Sequence, residues 1–585
     1  MRLTDEQRNA VGQGGHVCLV SCPGSGKTRV IVAKLLRCID SVIGTTRRVA
    51  CITHTNAAAD EIDSRLRETC FGDEDKYYNV ATIHGFALQN ILRAFHHLLP
   101  ELRDGYTILT PDAEAYLGKA KELLRAYDIK KIGPEEFERI QRAPDGTPFP
   151  LDTLPADLQL DWCRWIDENA HVTLNEIVYH AGRLVASHEH IASALASHFA
   201  WILVDEFQDS SPGQILILRQ IHKFGRTTFF CVGDPNQSIY RFAGAAPGLL
   251  LEFAHHINAN TDHRLTGNFR SSARICQIAE LLCTSDPPMT AVGVHAACDI
   301  QPSHVTVANP ADGIFNHFLP AVRELGIPLG KVAILASWWV SLFNLARELR
   351  SQNIPAVGPG ARPYKRSHLI AQFVETIGAY LECPDCEIAI AVQRSLFALL
   401  AEVEDQAPYY VFDFKGRVVV CKLLAEGADT RQASANAAEW IIDATKRFAK
   451  ILLAEEMISA QGAAAMRESA GQMAADIWSR DGGNTLKIED LGIFARPKHC
   501  IQLLTVHKAK GREFDAVAVI DAHDGRFPHF SLYKIVDDAE RLAQYDESRR
   551  VVYVATTRAK RILMFFSDTT DNRNKPTPFL AEMGL

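Results

Sequence analysis

Short, continuous apolar runs recur along the chain: Val17–Val20, Val49–Thr53, Trp201–Val204, Phe229–Val232, Val332–Leu335, Ile501–Thr505 and Ala516–Ile520. Runs of this length without polar alternation suit strands buried on both faces, and helix-period segments between them make the repeating unit of a parallel sheet. Two stretches break the rhythm. Residues 93–196 read as largely helical around a loop containing Pro144, Pro148, Pro150 and Pro155. Residues 383–495 are rich in Ala, Glu, Gln and Arg at helical spacing, as in Trp440–Leu453. The pattern predicts two α/β cores, each carrying a helical insertion.

Composition changes little in that picture. The 585 residues are 47% hydrophobic and 23% charged, which excludes wholesale disorder, collagen and coiled coil. A net charge of −8 argues against a chain coated in positive charge, yet leaves room for a local basic groove. No apolar run approaches a bilayer span, and the start, Met1 to Gln7, lacks the plan of a signal peptide, so a cytoplasmic location is expected. The 14 cysteines are irregularly spaced and read as reduced interior residues. Cys383-Pro-Asp-Cys386 has no partner pair for a zinc site and reads as a helix start.

The strongest local signal follows the first apolar run: Ser21-Cys-Pro-Gly24-Ser25-Gly26-Lys27-Thr28, then an apolar helix. A phosphate-binding loop needs glycines so that backbone N–H groups close around oxygens, a lysine for the β and γ phosphates, and a hydroxyl for magnesium. Ser21 stands where the usual pattern begins with glycine. A second signal ends the Trp201–Val204 run: Asp205, placed to hold magnesium, and Glu206, placed to orient or deprotonate an attacking water. A third, Val232-Gly-Asp-Pro-Asn-Gln237-Ser-Ile-Tyr240-Arg-Phe242, puts Gln237 where it would sense a γ-phosphate, with two rings beside it that could stack unpaired bases.

With these and six further stretches, the chain resembles the UvrD/Rep/PcrA group of superfamily 1 DNA helicases from residue 3 to about 564. Leu3-Thr-Asp-Glu-Gln7 resembles the adenine-recognition segment. Thr53-His54-Thr55-Asn56 and Thr82-Ile-His84-Gly-Phe86 resemble single-strand contact loops. Leu265-Thr-Gly-Asn-Phe269-Arg270 resembles the segment giving an adenine stack and a γ-phosphate arginine. Thr505-Val-His507-Lys-Ala-Lys-Gly-Arg-Glu513-Phe and Glu547 to Lys560, with Arg558 as a second arginine, complete the set.

The resemblance implies two RecA-like cores of the P-loop NTPase type: residues 1–92 with 197–270, and 271–382 with 496–585. The helical insertions are then 93–196 and a reduced 383–495. It implies ATP with Mg2+ as cofactors, and catalysis by Lys27, Asp205, Glu206, Gln237, Arg270 and Arg558. The opposing core would supply the two arginines as the cores close on ATP. Gln7, Ser21, Gly24, Ser25, Gly26, Lys27, Thr28, Arg29, Phe269 and Glu513 would contact nucleotide, and Thr28 and Asp205 the metal. DNA would be gripped by Thr53, His54, Asn56, His84, Tyr240, Phe242, Thr505 and His507. The implied activity is 3′→5′ translocation and unwinding of single-stranded and tailed duplex DNA.

Four positions in three motifs depart from the family pattern. His54 stands for phenylalanine, Phe242-Ala243 for a Trp-Arg pair, and Ser548 for an acid. They bear on unwinding more than on hydrolysis. The reduced second insertion resembles compact members such as the GajB subunit of the Gabija antiphage system, so repair and phage defence are both open pathways. A DNA-end sensor or adaptor serving a nuclease or repair-protein partner is the alternative reading. Asp413-Phe-Lys415 faintly resembles a nuclease element, but no second acid on a neighbouring strand accompanies it.

Overall fold

The computed structural model describes residues 2–69, 73–143, 145–149, 151, 153–241, 248–404, 408–481, 486–570 and 575–585. The chain forms two compact units: Met1–Cys298 with Val536–Val554, and Asp299–Ile535 with Ala555–Leu585. The first passage between them therefore falls after Cys298, not after Arg270. A short ladder of Gly267–Asn268 with Thr290–Ala291, and the Ser272-capped helix Ala273–Leu282, stay with the first sheet. The segment Val536–Val554, expected in the second core, also returns to the first.

The first unit holds six parallel strands: β1 (Val17–Ser21), β2 (Arg48–Thr53), β3 (Tyr78–Thr82), β4 (Phe199–Val204), β5 (Thr228–Gly233) and β6 (Arg264–Leu265). Their spatial order is β3-β2-β4-β5-β1-β6. Val17, Cys18 and Leu19 of β1 and Phe229 to Val232 of β5 are wholly buried, which is why these strands read as unbroken apolar runs. Among the helices covering them are α1 (Asp5–Gly12), which starts in a Thr4–Gln7 capping box, and α2 (Lys27–Asp40).

The first insertion has its own core around Trp162, whose ring meets Tyr116 and Phe137 at centroid distances of 5.0 and 4.7 Å. It also carries a buried ionic network. Arg142 donates from Nη1 and Nη2 to the two Asp167 oxygens (2.8 Å each), and from Nε and Nη2 to Glu176 (Nε to Oε1, 2.9 Å).

The second unit repeats the plan with β7 (Ser303–Val307), β8 (Val332–Ala336), β9 (Ala356–Val357), β10 (Ile501–Thr505), β11 (Phe514–Val519) and β12 (Ala559–Asp568). These are parallel and ordered β7-β12-β11-β8-β10-β9. Its helical block runs from Ala371–Glu382 to Ile488–Ala495. Asp385 caps the helix that begins at Cys386, and Asp413 precedes the helix Phe414–Ala433, so neither the cysteine pair nor the Asp-x-Lys element sits on a sheet. Among the described residues no helix is long and apolar enough to cross a membrane.

Candidate functional site

Ligand sites in parallel α/β sheets gather at the carboxyl ends of the strands. Read along that edge of the first sheet, the candidates fall in a row. His84 follows β3, His54 follows β2, Asp205 and Glu206 follow β4, Asp234 and Gln237 follow β5, the glycine loop follows β1, and Phe269 and Arg270 follow β6.

The loop is built for an anion. Gly24 and Gly26 hold φ of +66° and +80°, where a side chain would be strained. A Cβ on Gly24 would also lie 2.7 Å from Arg270 Cβ, and one on Gly26 would lie 2.9 Å from Gln7 Nε2. Lys27 opens α2, so the free N–H groups of that helix and its dipole face the loop. Ser25 Oγ is buried without a hydrogen-bond partner among the described residues, a donor available to an oxyanion. Ser21, in place of the first glycine, donates its hydroxyl to the Gly233 carbonyl (3.1 Å) and ties β1 to β5. Arg29 is exposed and reaches the Arg2 carbonyl.

Gln7 packs against the loop. Its Nε2 donates to the Ser25 carbonyl (2.9 Å), while its Oε1 accepts from the Thr4 N–H (3.1 Å). Both ends of the amide are engaged, so in this conformation Gln7 braces the loop.

The acids are close and charged at cross purposes. Lys27 Nζ lies 4.0 Å from Glu206 Oε1. Burial, and then the neighbouring Glu206, push the Asp205 carboxyl up to about 7 against the pull of Lys27. Glu206 sits at φ +48°, a sparsely used conformation for a side-chain residue. Burial also raises Asp234, against Lys27 and a 2.6 Å hydrogen bond from Gln237 Nε2. The buried carboxyls of Asp205 and Asp234, with Glu206 as a third acid, offer the oxygen ligands a divalent cation takes, and Thr28 stands in the first turn of α2.

Gln208, which sequence reasoning passed over, joins these groups. It is wholly buried, its Nε2 donates to Glu206 Oε2 (2.7 Å), and its Oε1 accepts from the Asp234 N–H (2.9 Å). Its position between Glu206 and Asp209 was the available signal.

The expected strand contacts of this unit lie at the other end of the same edge. His54 and Tyr240 stack, with ring centroids 5.3 Å apart and planes 28° apart. Thr53 and His54 line the same small cleft as Asp205 and Glu206. Thr53 is buried and donates to the Thr55 carbonyl, Asn56 is exposed at a helix start, and burial keeps His84 neutral by lowering its pKa. Phe242 lies outside the described residues.

Arg270 belongs to the first unit, not the opposing one. The adjacent Phe269 N–H bonds to the Gly24 carbonyl (2.9 Å), and Arg270 N–H bonds to Asn268 Oδ1 (2.8 Å). Phe269 is partly exposed. Arg558 lies in the second unit, buried, its guanidinium donating to the Arg512 carbonyl (3.2 Å) and Thr557 Oγ1 (3.1 Å). Thr505 caps the short helix Val506–Ala509, on which His507 is half-buried, and Glu513 pairs with Lys560 at 2.7 Å.

A further contact within the first unit was not anticipated. Arg241 forms a bidentate pair with Glu540 (2.9 and 2.5 Å), its N–H bonds to Glu547 (3.1 Å), and Arg550 Nε bonds to the Ser238 carbonyl (2.8 Å). The helix Asp538–Thr556 thus clamps the segment that carries Gln237 and Tyr240.

A glycine loop at a strand-to-helix turn, acids on the neighbouring strand ends and a second parallel-sheet unit define the two-core P-loop class. The family follows from comparison with known proteins. Residues 3–258 match the UvrD/REP helicase N-terminal domain, and residues 483–569 match the UvrD-like helicase C-terminal domain. DNA helicase II of Rickettsia typhi is 23% identical over 628 residues, spanning 96% of this chain and 91% of that protein. DNA helicase II of Escherichia coli is 23% identical over 662 residues, spanning 99% and 87%. The ATP-dependent DNA helicase Rep of Escherichia coli is 28% identical over 303 residues, 49% of this chain and 44% of that protein. The chain belongs to the UvrD/Rep helicase family.

Proposed function

We propose that the protein is an ATP-dependent, DNA-stimulated 3′→5′ translocase that unwinds tailed duplex DNA. The observation that carries the reading is the shared edge: the cleft bearing Thr53 and His54 is also bounded by Asp205 and Glu206. A base or phosphate moving Thr53 or His54 would therefore move the acids that set hydrolysis, and the reverse.

In this reading the loop N–H groups, Ser25 and Lys27 hold the phosphates. Thr28 and Asp205 would hold magnesium, which would supply positive charge against the developing phosphoryl charge. Glu206, oriented by Gln208, takes the proton of the attacking water. Gln237 reports the γ-phosphate to the Tyr240 segment. Tyr240 and His54 offer rings for unpaired bases. The 3′→5′ polarity rests on family membership.

The test is ATP turnover with and without single-stranded DNA, beside strand displacement on 3′- and 5′-tailed duplexes. Stimulation by DNA with displacement of the 3′-tailed substrate is expected. DNA-stimulated turnover without displacement would favour the end-sensor reading, in which a nuclease or repair-protein partner acts on the DNA. Lys27→Ala should reduce turnover by roughly 100-fold or more, the scale of removing one preorganised charge partner. Turnover at the wild-type level in that variant would refute the assignment.

A further inference from the structure

The second sheet carries a cluster at its own carboxyl edge that the helicase reading does not use. The turn leaving β11 places Asp521 and His523, with the His523 N–H bonded to the Asp521 carbonyl at 2.7 Å, and β12 ends on Asp568. Because β11 and β12 are neighbours in parallel register, with Val519 opposite Phe565, these strand ends bring the three side chains together. One ligand atom from each lies within 4.8 Å of the other two, and all three residues are buried.

The protein's own groups leave this cluster incompletely satisfied. His523 Nε2 lies 2.9 Å from Asp568 Oδ2, and the Asp568 N–H lies 3.4 Å from the same nitrogen. Asp568 Oδ1 accepts from the Thr570 N–H (3.1 Å) and hydroxyl. Ser341 hydrogen-bonds the Asp521 carboxylate. Even so, Asp521 Oδ2 and His523 Nδ1 have no hydrogen-bond partner among the described residues, although Asp521 is 8% exposed and His523 3%. Arg526, the nearby cation, lies over the Trp338 ring (5.5 Å), and its charge favours the Asp521 carboxylate. A buried carboxylate oxygen and a buried imidazole nitrogen, both without a hydrogen bond, are costly unless a ligand engages them.

We propose that Asp521, His523 and Asp568 form a binding site for a divalent transition-metal cation, separate from the nucleotide site. One imidazole and two carboxylates suit Mn2+ or Zn2+ better than Mg2+ or Ca2+, which prefer all-oxygen shells. The remaining coordination positions go to water or to the neighbouring hydroxyl. Its location, where two strands of the second sheet meet the turn bearing Arg526 and Phe527, makes it a pin on that edge rather than a reaction centre.

The full-length Asp205→Asn chain, stripped with chelator and free of nucleotide, is titrated with Mn2+ alone and followed by electron paramagnetic resonance. Asp205→Asn disables the expected magnesium position, so failure of that assignment and failure of this one stay distinguishable. One bound Mn2+ per chain is expected, with the nitrogen hyperfine coupling of a directly bonded imidazole, and with at least a tenfold loss of affinity in His523→Gln and in Asp568→Asn. Reading the nitrogen coupling in a His180→Gln background excludes the other imidazole-bearing cluster, Asp167, Glu176 and His180, and needs no second-unit variant. Absence of bound Mn2+, Mn2+ without nitrogen coupling, or undiminished binding in both variants would overturn the proposal.

Discussion

The first unit holds two constellations of nearly the same composition with opposite finish. In the insertion, Asp167 and Glu176 surround Arg142, and every guanidinium nitrogen meets a carboxylate, two of the contacts being 2.8 Å bonds to Asp167. At the strand ends, Asp205, Glu206 and Asp234 share one lysine, whose ammonium lies 4.0 Å from Glu206. The closed set spends its charges on itself, and truncating it should harm the fold. The open set keeps acids, an unbonded Ser25 hydroxyl and a positive-φ glutamate ready for something else. In the first set the guanidinium is fully engaged, although the His180 ring nitrogens beside it lack a hydrogen bond among the described residues; in the second the Ser25 hydroxyl lacks one and three acids share a single lysine.

Exchanging the phenotypes of the two sets would break this comparison. Glu206→Gln should leave nucleotide binding intact and reduce hydrolysis at least ~100-fold, the upper part of the range for a general base, with little change in unfolding midpoint. Arg142→Ala should do the reverse. Stranding two carboxylates costs about 3–5 kcal/mol in denaturant unfolding, while turnover per folded molecule holds. Tyr240→Ala should weaken single-stranded DNA binding by about 1–3 kcal/mol and lower DNA-stimulated turnover more than basal turnover, since stacking is its expected contribution; equal losses would point to packing.

Two smaller effects sharpen it. Gln208→Ala should lower kcat by about tenfold with KM nearly unchanged, because it positions Glu206 without touching nucleotide. His180, wholly buried beside Arg142, has its pKa lowered to about 3 by burial and then by Arg142 and Arg183. A histidine depressed in the folded state contributes stability that is present above its unfolded pKa near 6.5 and is lost as pH falls toward 3. The pH dependence of unfolding in that window should flatten in His180→Gln.

Much of this was legible in the residues, for physical reasons. Ile501–Thr505 is a strand with the bounds its apolar run suggested, and Val17–Val20 needs only Ser21 added. The ten-residue β12 was missed because Ala559 and Lys560 were absorbed into the last motif, and edge strand β3 because Asn79 and Thr82 dilute its pattern. The order of the nucleotide groups along the edge follows from motif positions plus a parallel sheet. What spacing could not convey is which end of a polar side chain is already in use: the two-ended bonding of Gln7, the Gln208 bridge, and the packing of Arg270 on the glycine loop through Gly24. Those depend on backbone brought together from distant segments, as does the second-sheet trio of Asp521, His523 and Asp568.

The helix Asp538–Thr556 has a mechanical consequence. Its body is fastened to Ser238 and Arg241, immediately after Gln237, yet the chain crosses into the other unit at Val554, four residues before Arg558. In the proposed reading, a helix pinned beside Gln237 and ending within a few residues of Arg558 is a short covalent link between those two positions. If that reading holds, severing the Arg241–Glu540 clamp would loosen the link, so ATP would still be hydrolysed while less of it is converted into movement along DNA.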